Sequence, residues 1–300
     1  MVSPSQGDNF YRFFRSFDKN PLKLAFTGIA ACDLVGKALR KVRPYEVEKG
    51  AADVVYGECL GRVIGAVEKG ASVAEMVSVM EWCAERMNGV AVRREERPLV
   101  GVVGEVYIRN HEFANHNVVR RLEELGAEVD LASFVEWLYY TNVIRQQDAK
   151  RRGRYREFVE NVIKDWVQHR IERRLAKPFE RYFGELADRD VRHMLGLAER
   201  YIDDSFQGEA ILSVGKMVEL YENGAAGIVN VGPFSCMPTN VVSSVSQVVG
   251  RDCGDMPIIT VHFDGQNDQT LEVRLECLVQ KLVGQREKGE LAGKVRGGGV

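Results

Sequence analysis

The side chain in this sequence that is best placed for chemistry is a cysteine. Cys236 lies in GIVNVGPFSCMP, residues 227–238, where a short β-branched run ends at Gly232-Pro233 and a helix is predicted from Pro238. A thiol at a strand-to-helix junction lies near unpaired N–H groups and the positive end of a helix dipole, and both favour the thiolate. The thiolate is the form that binds a metal or attacks an electrophile. The alternative, a small buried hydrophobic residue, stays open at this point.

Four buried strands are expected to position this cysteine. Apolar, β-branched runs predict strands at residues 99–108, 127–132, 227–231 and 257–263, with helical segments between them. Strand–helix–strand alternation predicts a doubly wound, parallel α/β sheet in the order 2-1-3-4. In such a sheet ligands bind at the carboxyl ends of the strands, where the strand order reverses between the first and third strands.

Further polar side chains follow the predicted strand ends and are expected on the same rim as Cys236. We predict catalytic roles for Tyr107, Arg109, Glu136 and Asp264, with Asn110 beside them. A thiol, a guanidinium and two carboxylates could together form an active site. Each also has a structural alternative, because Arg109 could simply pair with Glu136 and Asp264 could shape a turn with Gly265.

The rest of the chain is predicted to be mainly helical. We expect an N-terminal helical region over residues 1–95, an α/β domain over 96–283 with a helical insert at 134–223, and a disordered tail at 284–300. The first region begins with phenylalanines at helical spacing, namely Phe10, Phe13, Phe14 and Phe17. Cys59 and Cys83 lie among apolar neighbours on predicted helices, which favours core positions for both.

The insert combines an apolar stripe with many charges. Its apolar stripe is predicted to face the core and consists of Tyr155, Phe158, Val162, Trp166 and Ile171. Between Lys150 and Arg200 there are fourteen Lys or Arg and nine Asp or Glu, an excess of five positive charges. These charges are either a solvated helix face or a basic wall for an anionic ligand or partner.

Composition limits the function classes. A formal net charge of -2 argues against a nucleic-acid-binding protein. The sequence has no run of eighteen apolar residues, so we expect no membrane-spanning helix. The N-terminal residues lack the apolar core of a secretion signal, so we expect a cytoplasmic protein. Its six cysteines contain no CxxC pair and are expected to be reduced thiols.

Several chemistries can be compared with the predicted rim. A dinucleotide site is disfavoured because no GxGxxG follows the first strand, and a P-loop motif is missing from the sequence. A cysteine hydrolase would need a base near Cys236, for which His262 is the candidate. Iron–sulfur ligation suits a thiolate, but one cysteine cannot hold a cluster that takes three or four ligands. Any cluster would have to use ligands from elsewhere.

Several motifs together resemble a known family. GVVGEVYIR, FANHNVVRRLEELGAEV, EWLYY, GIVNVGPFSCMP, HFDGQ and VRLECLVQKL are similar to the C-terminal portion of acyl-CoA dehydratase activase-related proteins. More distantly they resemble the D-component of 2-hydroxyglutaryl-CoA dehydratase and benzoyl-CoA reductase subunits. RPYEVEKG extends the likeness, which covers about residues 28 to 283.

This resemblance implies a flavodoxin-like fold and an iron–sulfur function. In that family a 4Fe-4S cluster lies between two flavodoxin-like domains, and an ATP-hydrolysing activator supplies a low-potential electron for chemistry on a CoA thioester. Cys236 matches one cluster cysteine, whereas the other five cysteines match no family motif. The upstream ATPase modules and a further cysteine-bearing region of fused members are missing from the sequence. The resemblance thus implies a cluster completed by a partner subunit, and the alternative is a scaffold protein that has lost the cluster.

Overall fold

The computed structural model describes residues 21–203, 206, 208–265 and 269–287. The predicted helix through Phe10 and Phe17 and most of the predicted disordered tail lie outside these residues. Within the described ranges, no helix is both long enough and apolar enough to cross a membrane.

Four strands form one parallel sheet in the predicted order β2-β1-β3-β4. The strands are β1 Leu99–Gly104, β2 Glu128–Leu131, β3 Gly227–Pro233 and β4 Ile258–Phe263. In register, Val102 of β1 lies opposite Leu131 of β2 and Val229 of β3. The prediction of a doubly wound α/β fold is confirmed, with its strand order reversing between β1 and β3.

The described residues form eleven α-helices, and Arg43–Tyr45 forms a short 3-10 turn before Glu46. The helices are α1 Pro21–Val42, α2 Ala51–Glu68, α3 Val73–Asn88, α4 Val106–Asn110, α5 Val118–Glu124, α6 Phe134–Arg151, α7 Tyr155–Phe183, α8 Val191–Ala198, α9 Glu209–Glu222, α10 Met237–Asp252 and α11 Gln269–Glu287. Helix α1 ends at Val42, shortly before Pro44, because proline cannot supply the N–H that a continuing helix needs.

The chain divides into two compact units. The helical unit contains the described residues of 1–42, 46–92 and 148–187, and the sheet unit contains those of 43–45, 93–147 and 188–300. The middle of the predicted insert, residues 148–187, therefore belongs to the same unit as the N-terminal helices. The prediction had assigned it to the α/β domain, because it divided the chain into segments that are continuous in sequence.

Both faces of the sheet are covered by helices. One core joins Val100, Val102, Val229 and Val231 to apolar residues of α5 and α11, such as Leu275. On the opposite face α9 packs against β1, and α10 packs against β3 and β4. Burial on both faces explains why the central strands β1 and β3 contain nearly continuous apolar runs, whereas the edge strand β2 alternates apolar and polar residues.

The prediction for the end of β1 was wrong. This strand was expected to continue to Ile108 but ends at Gly104, where φ is +120° and a Cβ would overlap the carbonyl oxygen of Val231. The next residue turns away from the sheet, and the Glu105 side chain caps α4 by accepting a hydrogen bond of 2.7 Å from the Ile108 N–H. Tyr107 and Arg109 therefore lie on a short helix and not on the strand.

Three other expectations differ from the structure. The helical segment predicted between the first two strands is restricted to α5, which begins after Asn117, a residue in a left-handed conformation with φ 57°. The disordered tail was expected from Gly284, but α11 continues to Glu287. The stripe of the insert is not a core face, because Tyr155 and Trp166 are exposed while Ile171 is buried. The buried apolar side chains of the 29-residue α7 lie in its later part, between Ile171 and Phe179.

A Gly104→Ala substitution should destabilise the sheet unit by roughly 2 kcal/mol or more, because alanine would combine a positive φ with an overlap against β3. Urea unfolding measures the change. Gly57→Ala is the matched control, since an added Cβ in the middle of α2 meets nothing within 4 Å. That substitution should raise stability by about 0.5–1 kcal/mol. Equal stability of Gly104→Ala and the wild type would contradict the close approach of β1 and β3.

Candidate functional site

Cys236 lies at the carboxyl end of β3, as predicted, and is the N-cap residue of α10. The N–H of Cys236 donates to the carbonyl oxygen of Pro233 at 3.2 Å, which closes a tight turn. Ser235 in this turn has φ +61°, a left-handed conformation that is uncommon for residues other than glycine. The thiol is partly exposed and makes no capping hydrogen bond to described backbone groups. It is therefore available to a ligand.

Arg109 is almost fully buried and fastens the ends of two strands. Its guanidinium donates to the carbonyl oxygens of Gly104 and Ser133, each at 2.9 Å. These two carbonyl groups lie at the carboxyl ends of β1 and β2, where the backbone of a neighbouring strand does not supply their hydrogen bonds. Only 2% of Arg109 is exposed. Its role is therefore to stabilise the ends of β1 and β2 by hydrogen bonding, and not to contact a substrate.

Glu136 belongs to a buried charge cluster. Its carboxylate lies 2.9 Å from the Lys216 Nζ, which also donates to Glu219 at 2.7 Å. Ser133, which bonds to Asp188, accepts a hydrogen bond of 3.1 Å from the Glu136 N–H. Burial raises the pKa of Glu136, and the positive charges of Lys216 and Arg109 reduce that effect without reversing it. Burial alone would lower the pKa of Lys216, but the surrounding carboxylates hold it well above its usual range.

The remaining predicted site residues lie on the surface. Tyr107 is 59% exposed, and its ring packs against His111 with centroids 4.9 Å apart. Asp264 is exposed after β4, and Asn110 donates from its side chain back to the Val106 carbonyl at 2.8 Å. The structure thus brings Arg109 and Glu136 together in a buried network. Tyr107, Asp264 and Cys236 instead reach the surface at the strand ends.

A second polar group, between the ends of β1 and β3, was not predicted from the sequence. Glu105, Glu209 and Asn230 line a narrow cleft that has no room for a water-sized molecule and is therefore not a small-molecule pocket. Asn230 is completely buried, and its Oδ1 has no hydrogen-bond partner among the described residues. Burial, and next the Glu105 carboxylate, raises the pKa of Glu209. The available sequence signal was an asparagine within the apolar run GIVNVG.

His262, the candidate base, lies on the α10 side of the sheet. Its Nε2 is 3.1 Å from the Oδ1 of Asn240, one helical turn after Cys236. Since residues four positions apart share a helix face, the thiol and the imidazole lie on the same side of the sheet.

A complete iron–sulfur cluster does not fit the described residues of this chain. No group of three or more His, Cys, Asp or Glu side chains among them is arranged to hold a metal ion. Clusters take three or four thiolate ligands, so Cys236 could supply one of them and no more. The other ligands would have to come from outside the described residues, from another chain or domain.

Lys216→Met should destabilise the sheet unit by about 3–5 kcal/mol, because it leaves the buried Glu136 and Glu219 carboxylates without their cation. Denaturant unfolding at neutral pH measures the loss. The exposed Lys281 on α11 is the matched control, and its change to methionine should stay within about 0.5 kcal/mol. Adding Glu136→Gln to Lys216→Met should recover part of the loss. No difference between the two lysine variants would contradict the buried cluster.

Glu209→Gln should change how stability depends on pH. The folded-state pKa of Glu209 is raised above its ordinary value, so its favourable contribution is present below the unfolded pKa and is lost as pH rises through the folded pKa. Relative to the wild type, the variant should therefore gain stability between about pH 4 and neutral pH. Urea midpoints across this interval measure the gain. A constant difference between the two proteins at every pH would contradict the raised pKa.

Comparisons with known proteins leave the family open. No protein-family model, no curated protein and no solved structure matches this chain. The likeness to dehydratase and reductase components therefore depends on the sequence motifs quoted above. Any reaction assigned to the chain is a proposal that its site residues have to support.

Proposed function

We propose that this chain is an iron–sulfur component of an ATP-dependent dehydratase or reductase system that acts on CoA thioesters. A 4Fe-4S cluster would be shared with a partner subunit, and a separate ATP-hydrolysing activator would supply electrons in an anaerobic cytoplasm. Cys236 would be the ligand from this chain. The motifs around Cys236 and the likeness described above supply the reaction class.

The observation that carries this proposal is the position of the Cys236 thiol. It is partly exposed at the N-cap of the 16-residue helix α10 and at the carboxyl end of a central strand. The helix dipole stabilises negative charge at this point, which suits a thiolate and a cluster whose net charge is negative. A single accessible thiolate is the contribution expected from a chain that completes its cluster with another.

The neighbours of Cys236 support a shared site. Phe234 is 70% exposed and Met237 is 65% exposed, and they flank the cysteine on either side in sequence. Large apolar side chains next to a metal ligand are costly to leave in water and favourable in a protein–protein contact. A partner that contacts both side chains would also shield a cluster from solvent.

A second candidate is a cysteine-dependent hydrolase or transferase. The contact between His262 and Asn240 favours it, because an asparagine orients the histidine base in some cysteine hydrolases. In this chemistry His262 would accept the proton of the Cys236 thiol. A scaffold protein without either chemistry is the third possibility.

The test is iron and acid-labile sulfide in anaerobically purified protein, co-expressed with the products of neighbouring genes. We expect iron in the wild-type complex and a loss to background in Cys236→Ala. Cys277→Ala is the matched control, because Cys277 is exposed on α11 away from the strand ends, and its iron content should be unchanged. The loss reflects removal of one thiolate ligand.

Other results would reject the proposal in distinguishable ways. Iron that persists in Cys236→Ala would remove Cys236 as a ligand. No iron in any complex, with rapid alkylation of Cys236 that slows in His262→Ala, would favour the nucleophile. If no iron is found and Cys236→Ser has no effect on complex formation, the scaffold protein without a cluster is the hypothesis that remains.

A further inference from the structure

Helix α7 leaves one side exposed along most of its length. It packs against α1 and α3, and its buried apolar residues are Ile171, Leu175, Ala176 and Phe179. Positions three or four residues apart share a helix face, and seven exposed residues follow this spacing on the opposite side of α7. These residues form the outer face of α7 and are Tyr155, Val159, Val162, Trp166, Arg170, Arg173 and Lys177.

The first half of the outer face is apolar. Tyr155 is 72% exposed and Trp166 is 59% exposed, with the exposed side chains of Val159 and Val162 between them. Ile163, which is also exposed, extends the row sideways. Single exposed apolar side chains are common, but a contiguous row of them marks an interaction surface. Tyrosine and tryptophan are also among the residues that contribute most to binding at protein interfaces.

The second half of the outer face is basic. The Arg170 guanidinium lies 5.3 Å from the centre of the Trp166 ring and joins the two halves. Arg173 and Lys177 follow, and the row ends before the exposed Glu180. In the described part of the chain, neither Arg173 nor Lys177 forms an ion pair. This half therefore presents cations whose charge no carboxylate of the described residues balances.

The order of the two halves disfavours an occupant from this chain. The apolar and basic residues follow one another along the axis of α7 and share one side of it. Antiparallel pairing with a second copy of α7 would place cations against apolar side chains, and parallel pairing would place cations against cations. Residues 1–20 carry three basic and two acidic side chains, so their charge does not complement the basic half either.

A membrane or a nucleic acid would fit only one of the halves. A helix that lies on an anionic membrane has its apolar face in the lipid and its cations on the other side. On α7 the apolar row and the cations Arg173 and Lys177 share one face, so the cations would enter the hydrocarbon as well. A nucleic acid is negative along its whole length and would leave Val159 and Val162 against phosphates. A protein surface can match both halves.

We propose that the outer face of α7 binds a helical segment of a different protein, in which a row of apolar residues is followed along the axis by a row of acidic ones. The exposed apolar row, the cations without ion pairs and the order of the two halves carry this inference. The partner's apolar residues cover Tyr155 to Trp166, and its carboxylates pair with Arg173 and Lys177. The outer face lies in the helical unit and does not include Cys236, so the inference is independent of the iron–sulfur proposal.

The probe is a fluorescently labelled synthetic helix of about six turns, the length from Tyr155 to Lys177. One half of its binding side carries leucines and the other half carries glutamates, and both orders of the halves are used so that either helix direction is covered. Fluorescence anisotropy measures its binding to the full-length protein at low and high salt. We expect one order to bind, and to bind more weakly at high salt because salt screens the charged half. An all-glutamate helix and a leucine–lysine helix should each bind roughly tenfold more weakly or worse.

Two variants separate the contributions of the halves. Trp166→Ala should weaken binding of the leucine–glutamate helix roughly tenfold, because it removes the largest apolar contact. The double variant Arg173→Glu/Lys177→Glu should weaken binding by a similar factor and abolish its decrease with salt. The matched controls are Phe113→Ala, at a loop residue that is 88% exposed, and Lys281→Glu, at an exposed residue of α11. Both controls should bind the helix as the wild type does.

Several outcomes would overturn the proposal. One is that neither order of the leucine–glutamate helix binds, and another is that the all-glutamate helix binds as tightly. Binding of a uridine oligonucleotide or of phosphatidylserine vesicles that both variants lose would assign the outer face to a nucleic acid or a membrane. A dimer in analytical ultracentrifugation that dissociates in Trp166→Ala would assign it to a second copy. Helix binding that appears only in Phe13→Ala/Phe14→Ala would assign it to residues 1–20 of this chain.

Discussion

The carboxyl edge of the sheet depends on buried cations that satisfy groups which the strands leave unpaired. Arg109 binds the carbonyl oxygens at the ends of β1 and β2, and Lys216 holds the carboxylates of Glu136 and Glu219. A buried carbonyl or carboxylate without a partner costs several kcal/mol, so these contacts decide whether the edge can be built at all. The same contacts explain why charged residues follow the strands in sequence. Such a pattern indicates an active site only where the charges reach solvent.

The fold was predictable to a large extent because its main signal is local. The central strands β1 and β3 are nearly continuous apolar runs rich in valine, and right-handed crossovers restrict the order of such strands. The end of β1 was not predictable from the same signal, because Val106, Tyr107 and Ile108 suit a strand as well as Val102 does. What ends the strand is the approach of the Val231 carbonyl to Gly104, a contact between segments that are far apart in sequence. The prediction that the apolar stripe of α7 faces the core was wrong for a related reason. Residue spacing shows which side chains share a helix face, but not whether another element covers that face.

The candidate site was predictable only in part. A strand-to-helix junction placed Cys236 correctly, because the turn and the proline after it are encoded within a few residues. The separation of Arg109 and Glu136 from the surface was missed, because burial depends on α9, whose Lys216 comes some eighty positions after Glu136. Asn230 and Glu209 were missed for the opposite reason. Each looks ordinary in its own segment, and only their meeting between β1 and β3 leaves a buried oxygen without a partner.

The cysteines show how one residue type takes different roles from its surroundings. Cys236 has a helix N-terminus, partial exposure and apolar neighbours that face outward, which suits a ligand supplied to another chain. Cys59 and Cys83 have no exposed surface and lie inside helices α2 and α3, which suits the core positions that the sequence predicted.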